Sequence, residues 1–522
     1  MNLLRALALF GALGFSLFAA GCSGSGSTTP PVMPQDGNAA PLMSAPSPAT
    51  TAGLVHAMTS SSSLVGKIVY ATYYSTAHEF QIETSSGFYW VQALPTTQWS
   101  YNGLTVRVGV WATASGSWKT STTLDASSIS LSTSSAPTGS APTHVQTAEY
   151  LTSSTEMRTS PAVYAPYLSW AYPIYSRSGL TRAYGIKTVL YTSPIMPDRS
   201  TYEYDTLEGS YPSGRATTCS GGLVTTYNGA GLLSDPTKST TTAYFGNVVN
   251  HTISMVEESN PGYSHPWDLI YIDNDGPLYG ASSTPCNYNP ITWGSAQDAA
   301  LAVTGQKFIL NSLSVADDNV PTFVQRLGGS AIEGGEFEEC FMTALWSSEE
   351  DAQLQAVALL KREGKAGGAG FWCYADNTSA LGASSIGERM YIYASFLLTY
   401  DPNYSVFEES FTTSPSTFKV FPETGFVPLS PVITPTASSS LETSTGAYLR
   451  EYNSCYYRGS YVGKCEVIVN PSTTSYVSVP NPWGLHHAMS LSGGGVLDGG
   501  YASFAGAAPT SMAPKSGLIL TP

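Results

Sequence analysis

Charged side chains are scarce in this chain of 522 residues, making up 11% of it, against about 25% in an ordinary globular domain. With 22 basic and 37 acidic residues, the net charge is −15 at pH 7. So few Lys and Arg cannot supply the clustered cations that phosphate neutralisation needs, which excludes nucleic acid as a partner. Histidine is nearly as rare, seven in all, and no H-E-x-x-H pair or G-x-S-x-G elbow occurs. The cysteines lack the two close pairs of a zinc site, and no strand–GxGxxG–helix loop is present for a dinucleotide. Neither a metal nor an organic cofactor is therefore expected. Long apolar runs are missing as well. None reaches the roughly 20 residues of a membrane-spanning helix, so a multi-span membrane protein is excluded.

What the chain holds in quantity is aromatic and small polar residues. Aromatics reach 12%, with 33 Tyr among them, and Gly 49 and Pro 34 punctuate a surface of Ser, Thr, Asn and Gly. That aromatic content builds large cores and argues against wholesale disorder. After Arg5 the segment Ala6 to Ala20 is apolar or small and ends at Gly21-Cys22, the anatomy of a signal peptide over residues 1–21. The residues Phe18-Ala-Ala-Gly-Cys22 resemble a bacterial lipoprotein signal, which implies that Cys22 becomes the lipidated first residue. The expected location is the bacterial cell envelope, where that lipid alone holds the chain at the periplasmic or extracellular face. Residues 22–63, built of Ser, Thr, Pro, Ala and Gly with Asp36 as the one charge, read as a flexible tether.

Three folded pieces follow. Over residues 64–134 short β patterns alternate with Gly turns; Leu104, Val106, Val108 and Val110 share one face, with Thr105 and Arg107 on the other. The order strand, hairpin at Thr84-Ser-Ser-Gly87, strand, Asn102-Gly103 turn and strand resembles a small OB-like barrel. Its Trp90, Trp99, Trp111 and Trp118 read as core residues ahead of sugar platforms. Residues 144–410 alternate strands with helices. Near-continuous apolar runs at Val145 to Leu151, Ile186 to Tyr191, Trp267 to Ile272, Lys307 to Leu313, Ala331 to Ile332 and Gly370 to Tyr374 suit parallel strands covered on both faces. Between them, Phe245, Val248, Val249, Thr252, Ile253 and Val256 fall on one helical face. Ser347 with Glu350, and Ser385 with Glu388, have capping-box spacing. The alternation predicts a (β/α)8 TIM-like barrel, with an open doubly wound sheet as the runner-up. Residues 411–522 carry no helical pattern and predict an antiparallel, sandwich-like β domain.

In a (β/α)8 barrel the active site is built at the carboxyl ends of the strands. Leu269-Ile-Tyr-Ile-Asp-Asn-Asp275 runs an apolar strand into Asp273 and Asp275 at i and i+2. Phe308-Ile-Leu-Asn311 delivers Asn311, and Trp372-Cys-Tyr-Ala-Asp376 ends on Asp376. Ile332-Glu-Gly-Gly-Glu336 delivers Glu333 ahead of two glycines that would let a ligand approach. Tyr271, Trp346, Trp372 and Tyr374 are expected as aromatic walls of the mouth, and Asn311, Glu336 and Asp376 as substrate-binding residues. Glu336, Glu338 and Glu339 also read as a solvated acidic rim. Asp317-Asp318 read as a helix cap, and His486-His487 as surface histidines. Carboxylates from separate strands aimed at one mouth are what glycoside hydrolysis requires: one protonates the leaving oxygen, the other attacks the sugar or activates water.

The order of strand-plus-Asp at Tyr271-Ile-Asp-Asn-Asp275, strand-plus-Asn at Leu310-Asn311 and strand-plus-Glu at Ile332-Glu333 resembles the glycosyl-hydrolase-like families that join a (β/α)8 barrel to a small β domain. Tyr448-Leu-Arg-Glu-Tyr452 and Val467-Ile-Val-Asn-Pro471 resemble segments of that β domain. The resemblance covers about Ala148 to Asn470. It implies Asp273 and Glu333 as the catalytic pair, with Asp275 as a further catalytic candidate. Apart from Cys22, six cysteines remain, which allow 15 pairings; Cys455 and Cys465 bracket a hairpin. Placed on such a barrel, Cys340 follows one strand and Cys373 lies on the next, while Cys219 and Cys286 fall in loops at one face. The expected bonds are Cys219–Cys286, Cys340–Cys373 and Cys455–Cys465, in keeping with an oxidising compartment. The expected function is that of a surface-anchored, monomeric glycoside hydrolase acting on a poly- or oligosaccharide. A non-catalytic glycan-binding or scaffolding lipoprotein is the alternative.

Overall fold

The computed structural model describes residues 62–71, 79–84, 87–100, 106, 110–132, 142–151, 159–226, 229–273, 281–311, 324–338, 340–341, 346–365, 369–377, 386–411, 420–492 and 494–522. The signal peptide, Cys22 and nearly all of the tether lie outside the described residues, as do Asp275, Asp317, Asp318, Glu339 and Ser385. No helix among the described residues is long and apolar enough to cross a membrane.

β1 (Ser62–Ala71), β2 (Glu79–Thr84), β3 (Gly87–Ser100), β4 (Trp111–Trp118) and β5 (Thr123–Ser132) close a small barrel in the order β1-β2-β3-β5-β4. Alternation along β4 turns Ala112 and Ala114 inward, where they join Ile68, Phe80, Ile82, Val91, Leu124, Ile129 and Leu131. Trp99 and Trp118 pack against this core, as read from the sequence. Most of the expected Leu104–Val110 strand lies outside the described residues.

A second barrel follows. It is built from β6 (Gln146–Leu151), β7 (Trp170–Pro173) and β8 (Lys187–Thr192); a short hairpin of β9 (Thr225–Thr226) and β10 (Gly231–Leu232) stands outside it. β11 (Leu269–Ile272), β12 (Phe308–Asn311), β13 (Ile332–Glu338), β14 (Phe371–Asn377) and β15 (Ser405–Phe411) complete it. The eight strands are parallel and close in the order β11-β12-β13-β14-β15-β6-β7-β8. The connecting helices include α1 (Ser239–Ser259), α2 (Pro290–Ala302), α3 (Trp346–Arg362) and α4 (Ile386–Thr399). α1 buries the predicted face, including Phe245, Val248, Val249 and Val256. Ser347 lies inside α3 rather than capping it, because the helix already runs from Trp346; Glu350 is fully buried instead of reaching back to a cap.

The third piece is a six-stranded antiparallel sheet. It contains β16 (Phe426–Pro431), β17 (Tyr448–Tyr457), β18 (Ser460–Asn470), β20 (His487–Ser492), β21 (Tyr501–Ala507) and β23 (Ser516–Thr521), in the order β16-β17-β18-β23-β20-β21. β19 (Val477–Ser478) and β22 (Ser511–Met512) form a separate ribbon. One sheet face, with Tyr452, Val467, Val469 and Ile519, shares a core with α4. There Arg389 donates to Glu423 at 2.5 Å, both side chains fully enclosed. The opposite face packs Ile468, Leu518 and Leu520 against Leu485 and Met512.

Candidate active site

Side chains at alternate positions of a strand point to one face, and in this barrel the inward set is aromatic. Trp170, Tyr172, Val189, Leu269, Tyr271, Ile309, Trp372 and Val406 pack together inside it, with Tyr150 and Tyr191 against them. Tyr150 stacks on Tyr172 with centroids 4.2 Å apart, and Tyr172 meets Tyr271 and Trp372 edge-on at 5.3 and 5.6 Å. Toward the carboxyl ends the same inward register becomes polar: Asp273, Asn311, Glu336, Glu338, Tyr374 and Glu408.

These groups are wired to one another. The Tyr191 hydroxyl donates to Asp273 Oδ2. Asn311 Nδ2 donates to Asp273 Oδ1 at 2.8 Å and to Glu338 Oε2 at 3.2 Å. One layer lower, Glu336 accepts from the Tyr271 hydroxyl at 2.6 Å and the Tyr172 hydroxyl at 3.3 Å. Glu336 is 1% exposed. Burial pushes its carboxyl well above the usual carboxylate range, the charges of Glu338 and Asp273 add to the rise, and the tyrosine bonds oppose it. The Tyr172 and Tyr271 hydroxyls are pushed up by burial and by the Glu336 charge. Asp198, in the loop after β8, is also raised, first by burial and then by the Asp273 charge.

Two disulfides brace this mouth. Cys340–Cys373, with Cα atoms 5.4 Å apart, fixes the segment just beyond Glu338 to the neighbouring strand, and Cys340 N donates to Tyr374 O at 3.0 Å. Cys219–Cys286, Cα atoms 4.5 Å apart, ties the loops that follow β8 and β11. The β9–β10 hairpin continues that wall, with Leu232 N donating to Pro197 O and Ser282 N to Thr225 O. Cys455–Cys465 closes the β17–β18 hairpin. All three bonds join the cysteines that the sequence reading paired.

Several predicted residues lie elsewhere. Glu333 is not at a strand exit but one residue into β13, at the amino end of the barrel, where it pairs with Lys307 at 2.7 Å. The β12–β13 register shifts there, Phe308 opposite Ile332 and Ile309 opposite Gly334, so Glu333 is the extra residue of a β-bulge. The two glycines do not mark the strand's end. A Cβ on Gly334 would stand 2.4 Å from Gly370 O, so what it admits is the next strand's backbone rather than a ligand. Asp273 and Glu333 therefore open toward opposite ends of the barrel. Trp372 is fully buried and Tyr271 1% exposed, which makes both floor rather than wall. Trp346 faces away, donating to Ser395 Oγ and meeting Tyr448 edge-on. Asn311 and Tyr374 do lie in the upper layer. The Asp376 side chain lies outside the described residues.

The reading of Glu336 and Glu338 as a solvated rim is corrected: Glu336 is enclosed beneath the mouth and Glu338 joins the Asp273 layer through Asn311, while Tyr172, Tyr191 and Glu408 were missed altogether. The signal for Glu338 was present: Glu336-Phe-Glu338 alternates with period two, so one inward carboxyl implies the other. Among the described residues no group of three or more His, Cys, Asp or Glu side chains is arranged to hold a metal ion.

No family model and no curated protein matches the chain. Among solved structures it is similar to Ega3 of Aspergillus fumigatus in complex with galactosamine, at 14% identity over 53% of this chain and 94% of that one, with a TM-score of 0.31. The glycoside hydrolase domain of PelA from Pseudomonas aeruginosa follows at 10% identity, 51% of this chain and 94% of that one, TM-score 0.32. Amy13B of Eubacterium rectale shares 8% identity over 73% of this chain and 95% of that one, TM-score 0.39. Likeness this distant carries no chemistry across, and what the mouth does must be argued from its own residues.

Proposed function

We propose that the protein hydrolyses glycosidic bonds in a poly- or oligosaccharide, with Asp273 and Glu338 as its paired carboxylates. The observation that carries this reading is the Asn311 amide, whose nitrogen bonds both. The two bonded oxygens lie no farther apart than the sum of 2.8 and 3.2 Å. That bound falls short of the roughly 6.5–9.5 Å separation of inverting hydrolases and admits the roughly 5–5.5 Å of retaining ones. Asp273, oriented by Tyr191 and Asn311, suits attack on the anomeric carbon. Glu338, half-buried at the last position of β13, suits proton delivery to the leaving oxygen and, in the second step, proton removal from water. Anchoring at the cell envelope through Cys22 belongs to the same proposal; three disulfides favour an oxidising compartment.

The test is a reducing-sugar assay over a panel of polysaccharides. Asp273→Asn and Glu338→Gln are each expected to lose about 10²- to 10⁴-fold in kcat, the usual worth of a positioned acid or base. Full activity in both would end the proposal. Glycan binding by a wild-type protein that cleaves nothing would favour the binding-protein alternative.

A further inference from the structure

Glu336 has no part in that chemistry, yet it is a fully enclosed carboxyl of the mouth and is bonded to two tyrosines on two other strands. We propose that Glu336 is a positioning residue, a buried carboxylic acid that fixes the Tyr172 and Tyr271 hydroxyls and, through Tyr271, sets the Tyr191–Asp273 pair above it. The inference rests on the function proposed above and concerns a residue that function leaves unused.

The geometry carries the argument. Tyr271 is held at one end by Glu336 Oε1, and its ring stacks on Tyr191 with centroids 5.8 Å apart and planes 23° apart. Tyr191 is the residue that donates to Asp273. A change in the tilt of Tyr271 therefore moves the Tyr191 ring, and with it a donor that orients Asp273. Tyr172 on the other side is clamped between Tyr150 and Trp372, so Glu336 links β7, β11 and β13 across the barrel interior.

A carboxyl at this place serves best uncharged. The groups facing it are Tyr172 on β7, Tyr271 on β11, Asp273 just beyond the end of β11, and Glu338 on its own strand. Tyr150, Tyr374 and Glu408 complete the surrounding shell, each coupled to Tyr172 or Tyr150. None of these is a cation. A third negative charge would oppose those of Asp273 and Glu338 beside it. As a neutral acid Glu336 keeps one acceptor oxygen for the short Tyr271 bond. Once protonated, its own O–H donates to the Tyr172 oxygen, the reverse of the bond that the carboxylate form accepts.

This role separates Glu336 from Glu338 by experiment. Glu336→Gln keeps both the shape and the neutrality of the group, so kcat should stay within about threefold of wild type and both limbs of the pH–rate profile should hold their positions. Tyr271→Phe, which keeps the ring but frees it from Glu336, should lower kcat about tenfold with KM changed less than threefold. The double variant Tyr271→Phe/Glu336→Gln should lose no more than Tyr271→Phe alone, because one link is broken only once. Infrared difference spectra, wild type minus Glu336→Gln at pH 7, should contain the carbonyl band of a protonated carboxylic acid. The inference is overturned if that band is absent, or if Glu336→Gln loses as much kcat as Glu338→Gln, which would make Glu336 a catalytic residue. Full activity in Asp273→Asn and Glu338→Gln would strike the proposed function itself, and the infrared band would still report on Glu336.

Discussion

The two ends of the large barrel use the same residue types to opposite purposes. At the amino end, carboxylates meet cations: Asp268 with Arg182 at 3.0 Å, Glu333 with Lys307 at 2.7 Å and Asp401 with Lys361 at 2.5 Å. The cations there are two-fifths to one-half exposed. At the carboxyl end Asp273 and Glu336 are almost wholly enclosed, and they accept from neutral donors, the hydroxyls of Tyr172, Tyr191 and Tyr271 and the amide of Asn311. An exposed ion pair contributes little to stability and neutralises its carboxylate. A carboxylate held by neutral donors is oriented without being neutralised, at a desolvation cost that the fold must offset elsewhere. Strand β13 carries both kinds, Glu333 at one end and Glu338 at the other.

That contrast can be broken most sharply on β13 itself. Glu338→Gln should reduce sugar release about 10²- to 10⁴-fold, whereas Glu333→Gln should leave it within twofold; reversed ranks would restore Glu333 as the catalytic partner. Next in size is Asn311→Ala. It deletes the donor shared by Asp273 and Glu338, and misplacing either group should lower kcat by up to roughly 10²-fold, with thermal melting used to confirm that the fold survives.

Stability measurements sharpen the other half of the comparison. Because Lys307 is half exposed, Glu333→Gln should cost less than about 1 kcal/mol in denaturant unfolding. A larger loss would show that the amino-end pairs hold the barrel closed. A pH-dependent effect on stability is expected outside the barrel. Glu466 on β18 lies opposite Glu451, is fully buried and accepts from Trp483 N at 2.9 Å. Burial, and after it the Glu451 charge, push its carboxyl up to about 7. The folded state thus holds this proton more tightly than the unfolded chain does. Its contribution is complete below the unfolded value near 4.5 and is lost as pH rises through about 7. Glu466→Gln should therefore raise Tm by a few degrees at pH 8 and leave it unchanged at pH 4. A Tm unaltered at both values would remove Glu466 as a pH-dependent contributor.

Much of the barrel was legible because burial on both faces leaves a local trace. Val145 to Leu151, Ile186 to Tyr191 and Trp267 to Ile272 are apolar at nearly every position, as parallel strands flanked by helices must be. β7 and β15 left no such trace. Trp170-Ala-Tyr-Pro173 is four residues long and ends on proline, and Ser405-Val-Phe-Glu-Glu-Ser-Phe411 carries two glutamates. Asp273 and Asn311 could be placed because each directly ends or follows an apolar run. Glu333 was misplaced because a double glycine imitates a strand terminus, while here Gly334 admits the neighbouring backbone at Gly370.

The sequence by itself therefore determined six of the eight barrel strands, which cysteines could meet and that carboxylates would gather at strand exits, since apolar runs, side-chain alternation and chain order are local properties. Which carboxylate faces Asp273 was decided only in three dimensions. A one-residue bulge and the register of β13 against β12 and β14 send Glu333 to one end of the barrel and Glu338 to the other, and register is settled by packing between strands, not by the strand that carries the residues.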